Sequence, residues 1–322
     1  MDLQSILDPV SADLELVEQK LKEFSKSSDL PLLDELVQHV FNTKGKRARP
    51  ALTLMTAGFY DENKDLVITM ATAVEMLHIA TLIHDDTVDE AKTRRGQVTI
   101  SSGWDQHTAV MVGDYVFAAS ATFVCDTGNI RVIKRFSETI MELSRGQLQE
   151  TSYSYNPNVT KKEYLDRIYY KTASLFSTSG ESGAVLSGAP ESAVANLKKY
   201  SLNIGLAFQI IDDILDYQGN ELSIGKPVGN DLRNGILTLP TIYAMDDPKI
   251  YSAVNSLFKS KDECNNYAVL TNLVKNSNGI ERSFSYAHKL VQQARNSLTK
   301  LPNNPHKQSL EELSEFMISR LK

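Results

Sequence analysis

The stretch LIHDDTVDE, residues 82–90, places a cluster of aspartates at the end of an apolar segment. Asp85 and Asp89 are four residues apart and Asp86 and Asp89 are three apart, so a helix brings all three carboxylates to one patch. Without a counter-charge such pairs repel by roughly a few tenths of a kcal/mol each. Residues 70–83 are apolar almost all round, as in a buried helix. A solvated acidic helix end is one interpretation, and a site for a hard divalent cation is the other.

A second stretch, FQIIDDILDY at residues 208–217, repeats the same spacing. Asp212, Asp213 and Asp216 again follow an apolar segment, and Gln209 lies on the same helical face. Magnesium typically takes one or two carboxylates and leaves its other positions to water and substrate phosphate. The repetition therefore predicts two buried helices that form facing walls of one metal–diphosphate site.

Several basic residues near these motifs are candidates for binding phosphate. Guanidinium groups suit bidentate contact with phosphate oxygens. A single histidine on an apolar helix is either a core residue or a diphosphate contact, and His78 lies about two turns before Asp85. The basic candidates are Lys44, Lys46, Arg47, Arg49, Arg94, Arg95, Lys171 and Lys226.

The composition of the 322 residues excludes some classes of function. A net charge of −6 argues against a nucleic-acid-binding protein that works through a broad basic surface. The two cysteines, Cys125 and Cys264, have no metal-binding or redox spacing and indicate a reducing compartment. Neither a signal peptide nor a transmembrane segment is expected from the sequence. We expect a cytoplasmic protein.

Helical spacing of apolar residues recurs along the chain, and alternating strand patterns are scarce. The pattern predicts an all-α fold in one domain, residues 1–322, with the motifs concentrated at about 40–245. Residues 218–235 are rich in Gly, Asn and charge. So long a connection is more often a binding loop than filler.

The motifs together resemble those of the trans-isoprenyl diphosphate synthases, specifically the long-chain polyprenyl diphosphate synthases. The resemblance runs from about Lys44 to Pro240 and is carried by GKRARP, HIATLIHDDTVDEAKTRRG, GDYVFA, KTASLF and FQIIDDILDYQG with IGKPVGNDLRNGILTLP. It implies a helical bundle around a deep central cavity, the isoprenoid synthase fold, and a homodimer. It also implies a product that is delivered to the membrane, with the enzyme cytoplasmic or peripheral to the membrane.

The resemblance also implies roles for individual residues. About three Mg²⁺ ions would bridge an allylic diphosphate to Asp85, Asp86, Asp89, Asp212, Asp213 and Asp216. Arg94, Lys171 and Lys226 would contact the same diphosphate. The diphosphate of isopentenyl diphosphate would bind Lys46, Arg49, His78 and Arg95. Thr172 and Gln209 would lie near the reacting centre.

The reaction implied is successive head-to-tail condensation of isopentenyl diphosphate onto farnesyl or geranylgeranyl diphosphate, with quinone side chains as the use of the product. In this family a bulky aromatic residue four or five positions before the first aspartate limits chain growth. Thr81 and Ala80 occupy those positions and are small, which predicts a long product. An ideal helical wheel favours Thr81 as the wall residue. Phe117 or Phe123 could form a deeper floor.

Three alternatives share some of these features. A class I terpene synthase has the first acidic motif but no isopentenyl site, and a geranylgeranyl diphosphate synthase would make a shorter product. The large subunit of a heterodimeric medium-chain synthase, working with a small regulatory subunit, would carry WDQHTA and GKPVGNDLRNG as found here. The chain also departs from the usual pattern at Gly146-Gln147, where relatives often have Gly-Glu, and at Ile236, where a lysine is common.

Overall fold

The computed structural model describes residues 2–42, 45–60, 63–218, 228–260 and 265–319. It is 80% helical with almost no strands. By contacts the chain divides into two compact units, which are described separately. Unit 1 comprises Met1–Glu138, Thr178–Lys198 and Lys300–Leu310, and unit 2 comprises Thr139–Ser177, Lys199–Thr299 and Glu311–Lys322.

Up to Asp126, the described residues form seven α-helices, one 3₁₀ turn and one short hairpin. The helices are α1 (Leu3–Leu7), α2 (Ser11–Phe24), α3 (Pro31–Phe41), α4 (Ala48–Ala57), α5 (Lys64–Val88), α6 (Ile100–Gly103) and α7 (Gln106–Asp126), with a 3₁₀ turn at Asp8–Val10. The strands β1 (Thr93–Arg94) and β2 (Gln97–Val98) form the hairpin between α5 and α6.

The remaining elements are all helical. They are α8 (Ile130–Tyr153), α9 (Lys161–Ile168), a π-helical segment (Tyr169–Ala173), α10 (Ser174–Leu186) and α11 (Glu191–Gln218), followed by α12 (Asn230–Arg233), α13 (Leu239–Ala244), α14 (Pro248–Ser260), α15 (Asn265–Lys275), α16 (Gly279–Leu298) and α17 (Pro305–Ser319). Part of the connection expected to be a loop, residues 218–235, is therefore the short helix α12. Its backbone N–H groups are capped by an upstream aspartate that sequence spacing did not reveal.

Helix α5 forms the centre of unit 1. The side chain of Asn63 caps its first turn, and almost every residue from Val67 to Ile83 is buried against α2, α4 and α7. Apolar residues all round the helix explain why it lies inside the unit rather than on its surface. The acidic motif therefore begins where this buried helix reaches solvent.

Unit 2 has its own apolar core, in which the end of α11 packs against the helices that follow it. Tyr217, Leu232, Leu237 and Val254 are buried together in this cluster. Helix α9 starts at a capping box, in which Thr160 and Glu163 each accept a backbone N–H of the other. The cap fixes the entry into α9, which leads into the π-helical segment that carries the predicted site residues Lys171 and Thr172.

Two helices, α5 and α7, are long and apolar enough to cross a membrane by length and composition alone. Most of α5 is buried inside the protein, as in the core helix of a soluble fold, while α7 is one-third buried. This is weak evidence for a membrane span, although the sequence pattern had indicated no candidate. The single-domain organisation stays a prediction.

Candidate active site

The first acidic motif lies at the C-terminal end of α5. Asp86 is 7% exposed, Asp85 is half-buried and Asp89, the C-cap residue, is exposed. Arg94 of β1 donates from Nε to both carboxylate oxygens of Asp86, at 2.6 and 2.8 Å. Asp86 therefore has a guanidinium as its counter-charge, and Asp85 and Asp89 are the two members of the motif that solvent reaches more freely.

The hairpin that follows α5 carries both arginines of the KTRRG motif. Arg95 and Gly96 have φ angles of 51° and 81°, the left-handed pair that tight two-residue hairpin turns require. Burial would lower the pKa of Arg94, but the hydrogen bond and charge of Asp86, with the charges of Asp85 and Asp89, raise it overall. Arg94 thus remains a cation within the acidic patch.

A pocket in unit 1 lies beside the first acidic motif. Its walls combine three guanidinium groups with two carboxylates, so cationic groups outnumber anionic ones. This excess of one positive charge favours an anionic ligand, and guanidinium groups suit phosphate oxygens. The polar residues that line it are His39, Arg47, Glu75, His78, Asp86, Arg94, Arg95, Gln97 and Thr99.

Arg47 connects this pocket to helix α2. It adopts a left-handed conformation (φ 47°) at the N-cap of α4, donates to Glu75 at 2.7 Å and forms an ion pair with Glu18 of α2. Glu75 is 3% exposed and lies in the middle of α5. In the sequence, Glu75 is an acidic residue within the otherwise apolar segment 70–83. Its role as counter-ion of Arg47 depends on a contact between distant parts of the chain.

His78 and Arg49 are both half-buried and lie close to other cations. Burial, followed by the charges of Arg49, Arg95, Arg94 and Arg47, lowers the pKa of His78 well below its usual value, so the ring is neutral at pH 7. Burial lowers the pKa of Arg49 to about 10, and Glu75 opposes that effect. His78 and Arg95 line the pocket, whereas Arg49 and the exposed Lys46 are not among its lining residues.

The second acidic motif lies near the end of α11, in unit 2. Asp213 is 4% exposed and accepts hydrogen bonds from Tyr164 Oη at 2.6 Å and from Gln209 Nε2 at 2.8 Å. Thr172 donates in turn to Gln209 Oε1 at 2.7 Å. Burial raises the pKa of Asp213 to about 6, although both hydrogen bonds oppose this. Asp212 is exposed.

Asp216 has a structural role in unit 2. Its two carboxylate oxygens accept the backbone N–H groups of Asn230 and Asp231, at 3.1 and 3.2 Å, and so hold the start of α12. Asp231 is itself half-buried, and its desolvation, followed by the charges of Asp213 and Asp216, raises its pKa well above the usual value. Unit 2 therefore concentrates negative charge around the second motif beyond its three aspartates. The sequence analysis did not include Asp231.

Lys171 and Thr172 lie within the π-helical segment between α9 and α10. Such single-turn bulges are frequent at functional sites because they redirect side chains out of the regular helical path. The ammonium of Lys171 forms an ion pair with Glu150 of α8. The structure thus places Lys171, Thr172, Gln209 and Asp213 in unit 2, where hydrogen bonds join the last three.

The aspartates fit a divalent cation that is completed by ligand and water. No group of three or more His, Cys, Asp or Glu side chains in the described parts of the chain could hold a metal ion by itself. Magnesium, however, accepts one or two carboxylates and keeps water or phosphate in its other positions. The solvent-facing Asp85, Asp89 and Asp212 offer oxygen ligands of this kind.

The family to which these motifs belong follows from comparison with known proteins. The family model described as polyprenyl synthetase matches residues 30–274. The chain belongs to the polyprenyl synthetase family. It is 35% identical to heptaprenyl diphosphate synthase component 2 of Geobacillus stearothermophilus over 320 residues, 99% of each chain. The resemblance stated from the motifs is therefore confirmed.

Solved structures agree with this assignment. The crystal structure of a decaprenyl diphosphate synthase from Rhodobacter capsulatus matches with a TM-score of 0.93 and 33% identity, covering 100% of both chains. A polyprenyl synthase from Caulobacter crescentus CB15, complexed with calcium and isoprenyl diphosphate, matches with a TM-score of 0.92 and 30% identity over 99% of this chain and 98% of that one. The all-α isoprenoid synthase fold is confirmed, and this polyprenyl synthetase family member is a prenyltransferase.

The roles predicted for individual residues stay predictions. Unit 1 contains the first acidic motif with Arg94, Arg95 and His78, and unit 2 contains the second motif with Lys171 and Thr172. Lys226 lies outside the described residues. Sequence reasoning missed Glu75 and Glu150, the carboxylates that bind Arg47 and Lys171.

Proposed function

We propose that this enzyme elongates an allylic diphosphate, farnesyl or geranylgeranyl diphosphate, by successive trans head-to-tail condensation with isopentenyl diphosphate. The product is a long-chain polyprenyl diphosphate for quinone side chains. One observation carries the proposal: a cation-rich pocket lies directly beside the first acidic motif. A motif that binds one diphosphate through metal, next to a pocket for another anion, suits an enzyme that joins two diphosphate substrates. A terpene synthase, which uses one, has no need of the pocket.

In this proposal Asp85, Asp86, Asp89, Asp212, Asp213 and Asp216 would hold Mg²⁺, about three ions. When bound, it neutralises the diphosphate that leaves the allylic substrate. Arg94, Lys171 and Lys226 hold oxygens of the same diphosphate and stabilise the charge that develops on it as the C–O bond breaks. The allylic group then becomes a carbocation.

The second substrate is held by cations in unit 1. Lys46, Arg49 and Arg95 bind the diphosphate of isopentenyl diphosphate, and the neutral His78 donates a hydrogen bond to it. Thr172 and Gln209 lie near the reacting centre. The double bond of isopentenyl diphosphate attacks the carbocation, and the released diphosphate takes the proton whose loss restores an alkene. Apolar walls exclude water, which would otherwise capture the carbocation.

A long product is supported by the side chains one turn before Asp85. Ala80 is fully buried, whereas Thr81 is half-buried and donates to the backbone oxygen of His78 at 2.7 Å. Thr81 is thus the one of the two that is placed to contact a growing chain. Of the two candidates for a deeper floor, Phe123 packs edge-to-face on Phe24 of α2, with ring centroids 6.2 Å apart.

We propose a homodimer in the cytoplasm or at the membrane surface, from which the product is delivered to the membrane. The support is an apolar stripe on α8, where Met141 and Leu148 are 65% and 71% exposed and two turns apart. The same stripe could receive a small regulatory subunit. That alternative is supported by the name "component 2" of the Geobacillus stearothermophilus relative.

The test is an assay of the chain purified alone, with Mg²⁺, farnesyl diphosphate and isotopically labelled isopentenyl diphosphate, followed by chromatography of the dephosphorylated products. We expect a ladder of prenyl alcohols that ends well beyond geranylgeraniol. Turnover that stops at geranylgeranyl length would refute the long-chain assignment. No condensation by the chain alone would contradict the self-sufficient homodimer.

A further inference from the structure

The backbone around Lys171 is fixed from two sides. A methyl group added at Gly146 of α8 would lie 2.6 Å from the backbone nitrogen of Lys171. One added at Gly205 of α11 would lie 2.8 Å from the Cα of Ala173. Both distances are far inside van der Waals contact, so the π-helical segment fits between two helices only because glycines face it. The base of the Lys171 side chain therefore has little freedom.

The other end of that side chain is held by a carboxylate. Glu150 lies one helical turn after Gly146 on α8, and its carboxylate forms an ion pair with the Lys171 ammonium. The two side chains are 17% and 27% exposed, so the pair is mostly buried but open to ligands from solvent. The same helix thus supplies both the close approach at the backbone and the partner of the charged group.

Glu150 adds a further negative charge to a region that already has several. Its charge contributes to the raised pKa of Asp231, as do those of Asp213 and Asp216, after the larger effect of burial. An anionic ligand that approaches this region meets Lys171 already paired. It must therefore compete with Glu150 for the ammonium.

We propose that Glu150 is a positioning residue that alternates with the diphosphate group as the partner of the Lys171 ammonium during each catalytic cycle. Glu150 holds the ammonium ready before the substrate binds, releases it to the allylic diphosphate, and takes it back as inorganic diphosphate leaves. This inference rests on the proposed function, in which Lys171 contacts that diphosphate. It assigns Glu150 to product release, a role separate from the metal-binding aspartates.

The competition sets the direction of the expected effects. In Glu150→Gln the amide oxygen still accepts a hydrogen bond from Lys171, so the lysine keeps its orientation, but the charge that competes with diphosphate is gone. Inorganic diphosphate should bind about tenfold more tightly in the presence of Mg²⁺, since charge-assisted hydrogen bonds are about twice as strong as neutral ones. Release should slow, so kcat and the KM for farnesyl diphosphate should both fall, while the KM for isopentenyl diphosphate stays unchanged.

The experiment measures the Kd of inorganic diphosphate by isothermal titration calorimetry, with Mg²⁺ present, for the wild type, Glu150→Gln, Lys171→Met and the double variant. If Glu150 acts through Lys171, the Kd of diphosphate for the double variant should equal that for Lys171→Met to within about twofold. Glu142→Gln is the matched control. Glu142 is also on α8 and accepts a hydrogen bond from Tyr169 of the same π-helical segment, at 3.0 Å, so its loss should leave the Kd unchanged.

The possible results separate this inference from the proposed function. Unchanged or weaker diphosphate binding by Glu150→Gln overturns the exchange, and so does an equal gain with and without Lys171. If either of these results is obtained while the wild type condenses its substrates, the proposed function stands and only the role of Glu150 is refuted. Failure of the wild type to bind diphosphate at all would overturn both.

Discussion

Replacing Tyr164 by phenylalanine removes one of the two side-chain donors to Asp213 and keeps the ring that fills the core. Burial holds the pKa of Asp213 at about 6, and the hydrogen bonds from Tyr164 and Gln209 keep it from rising further. A hydrogen bond to a charged group contributes roughly 1.5–3 kcal/mol, so its loss should raise a carboxyl pKa by about one to two. In Tyr164→Phe the Asp213 carboxyl should therefore titrate at about 7–8 and be largely protonated at neutral pH.

Protons and metal ions compete for the same carboxylate oxygens, so this change should appear in metal binding. Mg²⁺ is titrated by calorimetry into protein saturated with inorganic diphosphate, from about pH 5 to about pH 9. Affinity in the wild type should fall as the pH drops through the pKa of Asp213. In Tyr164→Phe the same fall should begin about one to two pH units higher.

Tyr217→Phe provides the control. Tyr217 is also fully buried in unit 2, but its hydroxyl shares a hydrogen bond with the Thr241 hydroxyl, at 2.6 Å, and not with a carboxylate. This variant should keep the wild-type pH profile even if it unfolds more easily. If the midpoints for Tyr164→Phe and the wild type coincide, Tyr164 does not control the charge of Asp213 and the reasoning fails.

The remaining predictions concern unit 1. Asp85→Ala should lower kcat by about two to three orders of magnitude and keep the far-ultraviolet circular dichroism of the wild type; near-normal turnover would count against the metal site. Thr81→Phe should shorten the product ladder seen by chromatography, whereas Ala80→Phe should chiefly lower the melting temperature, since Ala80 is fully buried. The pKa of His78 lies well below the usual 6.5, so titration of His78 should make no contribution near that pH to the KM for isopentenyl diphosphate. Because only the unfolded chain takes up that proton, stability should fall as the pH drops below 6.5, and in denaturant titrations His78→Gln should reduce this loss.

The all-α fold could be predicted because it depends on local patterns. Helix α5 could be predicted from its apolar residues on all sides and from its acidic end, and both features are local in the sequence. The aspartates could be recognised for the same reason, since their spacing alone brings them to one face. The hairpin with its turn at Arg95-Gly96 was not expected from the sequence.

What the sequence could not reveal is which partner each charged residue takes. Glu75 and Arg47 are 28 residues apart, and Glu150 and Lys171 are 21 apart, so neither pair has a spacing that marks it. The capping of α12 by Asp216 likewise depends on how the chain returns to α11. Tertiary packing decides which residues form long-range ion pairs. Such pairs leave no periodic pattern in a single sequence.

The ion pair between Glu18 and Arg47 has a practical consequence for truncating the enzyme at its N-terminus. The match to the family model begins at residue 30, which would suggest that the first helices can be removed. Yet Glu18 belongs to α2, and it reaches an arginine that lines the cation-rich pocket. A shortened version that starts at residue 30 would leave Arg47 with one carboxylate instead of two. Helix α2 thus supplies one of the two carboxylates that hold Arg47 beside the pocket, and a deletion of α2 removes that contact.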